Sequence, residues 1–458
     1  MGAAPFDLRQ LMADRLSDRD GLFERHINRF TVRSARRLGT ANDFVRAEGA
    51  YVYDRDGRRF TDLDAGNGVF NIGRNHPRVQ SVIRDLLALE TPNMVSRRIP
   101  LLAGLLAERL GAAAPAGLSK VIFTSSGSEA TEAALKLARR YTGRQRFLYL
   151  EGDYHGATYG ALSVTDLDIT AEGFAPMLPA CQRISRTDVG ELSRELARGD
   201  VAGLIVELIR GVDVRPLAPD FLNQAQSLCR QHGIPLIVDE VFTGFGRTGT
   251  MFACQQMNVT PDLLILSKAL SGGYVPLGAL LIQEDIHDRV FDSSHVFVHG
   301  STFEHNDLAM AVGLATLAAI EEDGLVERSA ALGQLLAAGL RDLQRRHGMI
   351  ADIRAHGLLI GLELKAPGQF GARLAGGMLA AKGLLAHIIL TMLHEQGFLA
   401  AAVLRNNVLR LSPPLVISES DVAAFLAALD GCFERIGGLS QTIPRFVLRQ
   451  MFQMARFS

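Results

Sequence analysis

Short apolar runs alternate with amphipathic stretches through the middle of the chain. The runs predict strands at 121–124, 147–150, 203–208, 236–239, 263–266 and 279–282. Apolar residues at helical spacing predict helices at 101–110 and 129–140, and helical stretches separate most of the strands. This alternation is typical of an α/β fold in which a mostly parallel sheet lies between layers of helices.

The two ends of the chain follow other patterns. Residues 1–45 predict arginine-rich helix, and 51–60 predict a hairpin with an Asp-Gly turn. After about residue 310, a long helix rich in alanine and leucine leads into an α+β region. We therefore expect a large domain at 91–330 and a smaller one built from 1–90 and 331–458, with an apolar insertion at about 366–404.

Composition and charge exclude several classes of protein. The 458 residues are 48% hydrophobic and 21% charged, as in ordinary globular proteins of more than one domain. A net charge of −1 gives no reason to expect nucleic-acid binding. The four cysteines are scattered and form neither a metal-binding spacing nor a disulfide framework, which predicts a reducing cytoplasm and no metal site.

A lysine and an aspartate each stand at the end of a predicted strand. Lys268 follows the strand 263–266 and precedes a glycine pair, and Asp239 ends the strand 236–239. Pyridoxal phosphate (PLP) chemistry needs such a pair: a lysine for the Schiff base and a carboxylate that keeps the pyridine nitrogen protonated. Taken alone, a surface lysine and a helix-capping aspartate are the ordinary alternatives.

The segment from Ser126 to Glu129 predicts the start of a helix directly after a strand. Ser126 and Glu129 fit a capping box. The small residues Gly127 and Ser128 leave the first backbone N–H groups of the helix accessible to an anion. The segment therefore predicts either a phosphate site or an ordinary capped helix.

Three further segments place polar or aromatic side chains near strand ends or on loops. Tyr154 and His155 follow a predicted strand, where an aromatic ring can stack on a flat heterocycle. Glu207 lies at the end of another strand, where ligands bind in parallel sheets. Thr302 supplies a hydroxyl group on a loop. A turn aromatic, a salt-bridged surface acid and a plain turn are the respective alternatives.

Together these segments resemble the class III aminotransferases, a family of PLP-dependent enzymes of fold type I that includes the acetylornithine, ornithine and putrescine aminotransferases. The resemblance runs from about residue 51 to residue 416. The matching segments are 73–77, 126–130, 154–156, 239–249, 266–270, 301–303 and 409–415. Those at 239–249 and around Lys268 are the most specific.

The resemblance implies roles for the matching residues. Lys268 would form the Schiff base and move the substrate proton, and Asp239 would pair with the pyridine nitrogen. Thr302 would reach the cofactor phosphate of a neighbouring subunit, which implies a homodimer with shared active sites. Arg410 would bind the carboxylate of an amino-acid substrate, with Phe70 also at the substrate. The other cofactor contacts would be Ser126, Gly127, Ser128, Tyr154, His155, Glu207, Val241 and Phe242.

Several positions depart from the pattern of the family. Phe242 stands where the family often has glutamine. Val212 stands where the ornithine and acetylornithine enzymes have a glutamate that can pair with the carboxylate-binding arginine, and Asp213 is a candidate substitute. The stretch 304–307 replaces the usual Gly-Gly-Asn-Pro. These departures argue against ornithine-like specificity.

Two apolar segments have competing interpretations. The insertion is more apolar than a solvated loop, and the tail 443–458 carries arginines among aromatic residues and methionines, without an acid. Both can pack in the small domain or the dimer interface. Alternatively, they form an apolar acceptor channel or a membrane-surface contact. This region resembles a subgroup of class III enzymes linked to lipid-like or polyketide-like substrates.

The sequence therefore predicts a PLP-dependent aminotransferase that works by a ping-pong cycle on a small-molecule amino donor and a carbonyl acceptor. We expect glutamate or a similar acid as donor, bound by Arg410, and an aldehyde or ketone on a largely apolar skeleton as acceptor. A decarboxylase or aminomutase of the same fold is an alternative, because the cofactor carries the electron sink. A catalytically silent binding module is another.

Overall fold

The computed structural model describes residues 6–38, 41–95, 99–166, 173–365, 384–403 and 407–437. Within these residues the strands form three sheets. The strands are β1 Phe44–Glu48, β2 Tyr51–Asp54, β3 Arg59–Asp62, β4 Leu118–Thr124, β5 Arg146–Leu150, β6 Cys181–Ile184, β7 Val201–Val206, β8 Leu236–Asp239, β9 Leu263–Leu266, β10 Gly278–Gln283, β11 Ile350–His356, β12 Leu359–Leu364, β13 Phe398–Leu399, β14 Ala401–Val403 and β15 Val408–Leu411.

Helices cover and connect these sheets. The α-helices are α1 Leu8–Arg15, α2 Arg19–Phe23, α3 Arg29–Leu38, α4 Pro77–Ala88, α5 Leu101–Ala113, α6 Gly127–Thr142, α7 Tyr159–Ser163, α8 Val189–Leu196, α9 Pro219–His232, α10 Ala253–Gln256, α11 Glu284–Val290, α12 Asp307–Glu322, α13 Leu325–His347, α14 Leu384–Glu395 and α15 Glu419–Gly437. Two 3₁₀ segments, Leu16–Asp18 and Lys268–Ser271, a π-helical segment, Glu24–Asn28, and a short turn, Ala65–Gly68, complete the described elements.

The central sheet has seven strands in the order β4-β10-β9-β8-β7-β5-β6. The run from β9 to β6 is parallel, whereas β10 is antiparallel to both of its neighbours. The predicted α/β fold with a mostly parallel sheet is confirmed. The side chains of β7, β8 and β9 are all buried, because helices cover both faces of the sheet. The carboxyl ends of these three strands therefore meet at one edge.

Two four-stranded sheets flank this core. One has the order β1-β2-β3-β13 and the other β11-β12-β15-β14. The first joins strands from the N-terminal part of the chain to β13, which pairs in parallel with β3. The predicted hairpin is confirmed as β2 and β3. The division into domains at residues 90 and 330 stays a prediction.

The described part of the predicted insertion packs inside the protein. Helix α14 contacts α15, and its residues Leu385, Ile388, Ile389 and Met392 are buried. Interior packing is thus the better interpretation for 384–395. Residues 366–383 and the tail 438–458 lie outside the described residues. No helix in the described part of the chain is long and apolar enough to span a bilayer.

Two of the predicted elements are wrong in detail. The long helix expected after residue 310 is two helices, α12 and α13, because Gly324 between them has a φ of 60° and breaks the helical path. The helical stretch expected over 1–45 ends by Leu38, and 44–48 form β1. This strand is largely exposed and carries Arg46. Its sequence therefore lacks the alternation of apolar and polar residues that predicts a half-buried strand.

Candidate active site

A cavity of about 490 Å³ lies at the carboxyl ends of β7, β8 and β9. Asp239 is the last residue of β8, and Lys268 follows β9 after one intervening residue. Glu207 directly follows β7, one residue beyond the strand that it was predicted to end. All three line the cavity. The parallel strands thus bring together three groups that are far apart in the sequence.

Lys268 is half-buried at the base of this cavity. Its backbone has a φ of 46°, in the left-handed region that is unfavourable for a residue with a side chain. Burial, followed by the positive charge of Arg410, lowers the pKa of the amine to about 8, although Asp239 and Glu207 oppose the shift. Lys268 therefore has a substantial neutral fraction near physiological pH, as a nucleophilic amine requires.

Asp239 is buried and held from two sides. Its Oδ1 accepts a hydrogen bond from the backbone N–H of Val241 at 3.0 Å, and its Oδ2 lies 2.8 Å from Nδ1 of His155. Burial alone would lower the pKa of His155, but the hydrogen bond and the charge of Asp239 outweigh it and raise the pKa. The hydrogen bond between His155 and Asp239 therefore holds the Asp239 carboxylate in a fixed orientation.

A second buried carboxylate lies behind His155. Asp153 pairs with Arg186 and accepts a hydrogen bond from the backbone N–H of Glu207 at 2.8 Å. Nε2 of His155 is 3.9 Å from Asp153 and makes no hydrogen bond within the described residues. Sequence reasoning missed Asp153 and Arg186. The sequence signal that points to Arg186 is its position shortly after the end of β6, a strand of the same sheet.

Glu207 holds the backbone beside the cavity. Its two oxygens accept hydrogen bonds from the N–H groups of Tyr154, at 2.9 Å, and Gly211, at 2.8 Å. Burial, together with the negative charges of Asp153 and Asp239, raises the pKa of Glu207 to about 7. Glu207 is thus half protonated near neutral pH, and its first structural effect is to position Tyr154, whose ring borders the cavity.

The start of α6 forms another wall of the cavity. Ser126 accepts a hydrogen bond from the Glu129 N–H at 3.2 Å, and the Glu129 carboxylate accepts one from Ser125 at 2.7 Å. The predicted capping box thus forms, except that the Glu129 side chain accepts from the N–H of Ser125 instead of that of Ser126. Gly127 and Ser128 border the cavity. Their N–H groups lie in the first helical turn, where no intrahelical acceptor exists, so they can bind an anion.

The ring of Phe242 lies close to two basic side chains. The Nζ of Lys268 is 4.2 Å and the Cζ of Arg410 is 4.7 Å from the ring centroid. Arg410 donates to the carbonyl of Gly211 at 3.0 Å, to Asp64 at 3.0 Å and to Asn67 at 2.6 Å. An aromatic ring and a nearly buried guanidinium thus both line the cavity.

Asp213 does not take the place of the missing glutamate. It is buried and accepts a hydrogen bond from Arg210 at 2.8 Å. The carboxylate that pairs with Arg410 is Asp64, which sequence reasoning did not single out. Asp64 lies 346 residues before Arg410, so no local pattern connects the two.

The remaining predicted residues divide into two groups. Tyr154, His155 and Val241 line the cavity with the residues already described. Phe70 and Thr302 are not among its lining residues. The Phe70 ring packs against Arg74, whose Cζ is 3.9 Å from its centroid. Thr302 is exposed on the loop before α12. Their predicted contacts with substrate and with a neighbouring cofactor stay predictions.

The residues at the cavity fit PLP. Lys268 and Asp239 offer an amine and a carboxylate in one cavity, and the start of α6 offers N–H groups to a phosphate. The backbone also leaves the required room, since a Cβ atom added at Gly127 would lie only 2.9 Å from Cγ2 of Val241. The fold and this site together define a PLP-dependent transferase of fold type I.

Comparisons with known proteins identify the family. The family model described as "Aminotransferase class-III" matches residues 34–433. The chain is 33% identical over 445 residues to the aminotransferase PigE of a Serratia species, an alignment that covers 89% of this chain and 52% of PigE, so this chain spans about half the length of PigE. It is 32% identical over 451 residues to the putrescine aminotransferase of Pectobacterium atrosepticum, covering 95% and 92% of the two chains.

A solved structure supports the same assignment. An amine transaminase from an uncultivated Pseudomonas species, crystallised in its PLP-bound form, matches with a TM-score of 0.76 and 29% identity over 87% of this chain and 95% of that one. The chain belongs to the class III aminotransferase family. It is a PLP-dependent transaminase that moves an amino group from an amino donor to a carbonyl acceptor.

Proposed function

We propose that this transaminase takes its amino group from glutamate or a similar amino acid and delivers it to an aldehyde or ketone on a largely apolar skeleton. The observation that carries this proposal is the buried ring of Phe242 between Lys268 and Arg410. Val212 borders the same cavity. These side chains offer no hydrogen bond to the second amino group of a short diamine, whereas they favour contact with an apolar chain.

Each catalytic residue has a separate task in this proposal. When bound, PLP supplies a protonated pyridine ring that draws electrons away from the substrate carbon. Asp239 would pair with the ring nitrogen of the bound cofactor, and His155 orients the Asp239 carboxylate. Lys268 takes the proton from the substrate carbon and returns it, which its pKa of about 8 permits at neutral pH.

Other side chains hold the cofactor and the donor. The N–H groups of Gly127 and Ser128 would hold the cofactor phosphate, and Tyr154 and Val241, which line the same cavity, would hold its ring. Arg410 binds the donor carboxylate through its planar guanidinium, which offers two parallel N–H donors. For this, Arg410 exchanges its bond to Asp64 for one to the substrate.

The proposal includes a homodimer in which Thr302 reaches the cofactor of the neighbouring subunit. Large apolar side chains on one stretch of surface support an interface: Ile99 is 95% and Leu101 68% exposed. We also propose a cytoplasmic location, since the four cysteines are unpaired. Light scattering of the purified protein should give twice the chain mass, and an active monomer would contradict the shared site.

The test of function is a panel of donors and acceptors, followed by the absorbance change between PLP and pyridoxamine phosphate. We expect turnover of glutamate with apolar aldehydes or ketones. Turnover confined to ornithine, acetylornithine or short diamines contradicts the proposal. Release of carbon dioxide, or migration of an amino group without an acceptor, would instead indicate a decarboxylase or an aminomutase.

A variant pair tests the donor site. Arg410→Gln should lower kcat/KM for glutamate about 100-fold and leave that for an alkylamine without a carboxylate within about twofold. Arg215→Gln is the matched control, because the Arg215 side chain is 52% exposed. Equal losses on both donors would show that Arg410 does not select the carboxylate.

A further inference from the structure

A strained turn borders the active-site cavity. Four consecutive residues, Ala65–Gly68, have positive φ values, and two of them, Ala65 at 49° and Asn67 at 59°, carry side chains. The left-handed conformation is unfavourable for such residues, so other contacts must hold it. Asp62 accepts hydrogen bonds from the N–H groups of Asp64 and Ala65 at 2.9 Å, and Asp64 accepts one from Asn67 at 2.8 Å.

A second cavity lies on the other side of this turn. It has a volume of about 610 Å³, and Asp64 and Gly66 line it, whereas Asn67 lines the active-site cavity. Asp64 and Asn67 both accept hydrogen bonds from Arg410. The turn is therefore a thin wall between two cavities, and its contacts with Arg410 hold it in place.

The lining of the second cavity suits an apolar chain. Its apolar side chains are those of Phe44, Val45, Ala47, Val52, Leu399 and Ala400. Leu399 and Ala400 belong to the apolar segment that the sequence singled out and that the catalytic residues do not use.

The charged groups of the second cavity are paired. Arg74 binds Asp62 at 2.8 Å, Arg46 binds Glu48 at 3.0 Å, and Asp64 binds Arg410 at 3.0 Å. A ligand that enters this cavity therefore meets paired charges and apolar surface, which favours an uncharged, largely hydrocarbon group.

We infer that the second cavity is the subsite for the distal part of the acceptor, and that the 65–68 turn moves aside to admit it. This inference rests on the proposed apolar acceptor. A cavity of about 490 Å³ that also holds PLP has room for a short carbonyl compound, so a longer chain must extend beyond it. The turn separates the two cavities, and the positive φ values of Ala65 and Asn67 give it a strained backbone that a change of conformation can relieve.

Narrowing the second cavity tests the inference on the PLP-loaded enzyme. Ala47 lines this cavity and is not part of the catalytic site. Ala47→Phe should lower kcat/KM for decan-2-one about tenfold and change that for butan-2-one less than about twofold. Ala351→Phe, at an exposed position on β11, is the matched control and should affect neither ketone. Equal effects of Ala47→Phe on both ketones, or no effect, overturn the inference.

A labelling experiment gives a readout that needs no turnover. Val45 lines the cavity and is 54% exposed, so Val45→Cys introduces an accessible thiol. At four times its Kd, decan-2-ol should slow thiol labelling about fivefold, and butan-2-ol should not. Val296→Cys, exposed on a loop that does not line the cavity, should show no protection.

The two experiments separate the inference from the proposed function. A wild-type enzyme that uses neither ketone overturns the proposed apolar acceptor. Protection of Val45→Cys by decan-2-ol still decides whether the second cavity binds a hydrocarbon chain, and equal labelling with and without decan-2-ol overturns the subsite whatever the turnover.

Discussion

The Nδ1 atom of His155 lies 2.8 Å from Oδ2 of Asp239. This contact connects the wall of the active-site cavity to the buried pair Asp153 and Arg186 behind it. A carboxylate that is to pair with a cofactor nitrogen must be held in a fixed orientation, and the hydrogen bond with His155 supplies this constraint.

The first prediction concerns this contact. His155→Phe removes the partner of Asp239 and should slow the donor half-reaction about tenfold, whereas Asp239→Asn should slow it by about 100-fold or more. Single-turnover absorbance changes with glutamate measure both rates. His295→Phe, at an exposed position, is the control. A His155→Phe enzyme as fast as the wild type would show that the contact has no role in catalysis.

The second prediction concerns the pH dependence of stability. The pKa of Glu207 rises from 4.5 to about 7 on folding, so the folded state binds this proton more tightly than the unfolded state. Ionising Glu207 therefore costs folding free energy as the pH rises from about 4.5 to about 7, and below that range the cost is absent. The shift corresponds to about 3 kcal/mol.

Denaturant unfolding of the cofactor-free protein measures this cost. Over that pH range the free energy of unfolding of the wild type should fall by about 3 kcal/mol more than that of Glu207→Gln. The variant is expected to be less stable at low pH, because an amide cannot accept both the Tyr154 and the Gly211 hydrogen bonds. Parallel pH profiles of the two proteins would contradict the raised pKa.

The third prediction concerns Gly156, the glycine beside the start of α6. Gly156 has a φ of 134°, and an added Cβ would collide with the Ser128 hydroxyl. Gly156→Ala should therefore displace the start of α6 and weaken PLP binding about tenfold or more. Gly104→Ala, where nothing lies within 4 Å, should leave PLP binding unchanged and raise stability by up to about 1 kcal/mol. An unchanged PLP affinity in Gly156→Ala would exclude this close contact.

The fourth prediction concerns the amine of Lys268. Since its pKa is about 8, the rate at which the cofactor-free enzyme captures PLP should rise with pH, with a midpoint near pH 8. Burial is the main cause and the charge of Arg410 the next, so Arg410→Gln should move the midpoint to higher pH. Stopped-flow absorbance measures the capture rate, and an unshifted midpoint in Arg410→Gln would exclude the influence of Arg410.

The sequence was sufficient for those parts of the site that follow from local patterns. Lys268 and Asp239 stand close to the ends of apolar strands, and parallel strands bring such ends to one edge. The start of α6 was predictable from Ser126 and Glu129, because capping is a contact over three residues. In the same way, the mostly parallel sheet followed from the alternation of strands and helices.

Other parts of the site depend on contacts between distant segments. Asp213 was a candidate substitute for the glutamate that is missing at Val212, but Asp213 pairs with Arg210 instead. Asp64 pairs with Arg410, and it directly precedes the left-handed turn 65–68. The local sequence does not specify this turn. The antiparallel direction of β10 could not be predicted from the sequence either, because its apolar segment is compatible with either direction.

The most direct test of the account is to locate the lysine that binds PLP. Borohydride reduction of the PLP-loaded protein, followed by peptide mass mapping, should find the cofactor mass on Lys268. In parallel, the Lys268→Ala variant should unfold at nearly the same temperature as the wild type and should carry no cofactor mass after reduction. Label on another lysine, or full amino transfer by Lys268→Ala, would contradict the assignment of the active site.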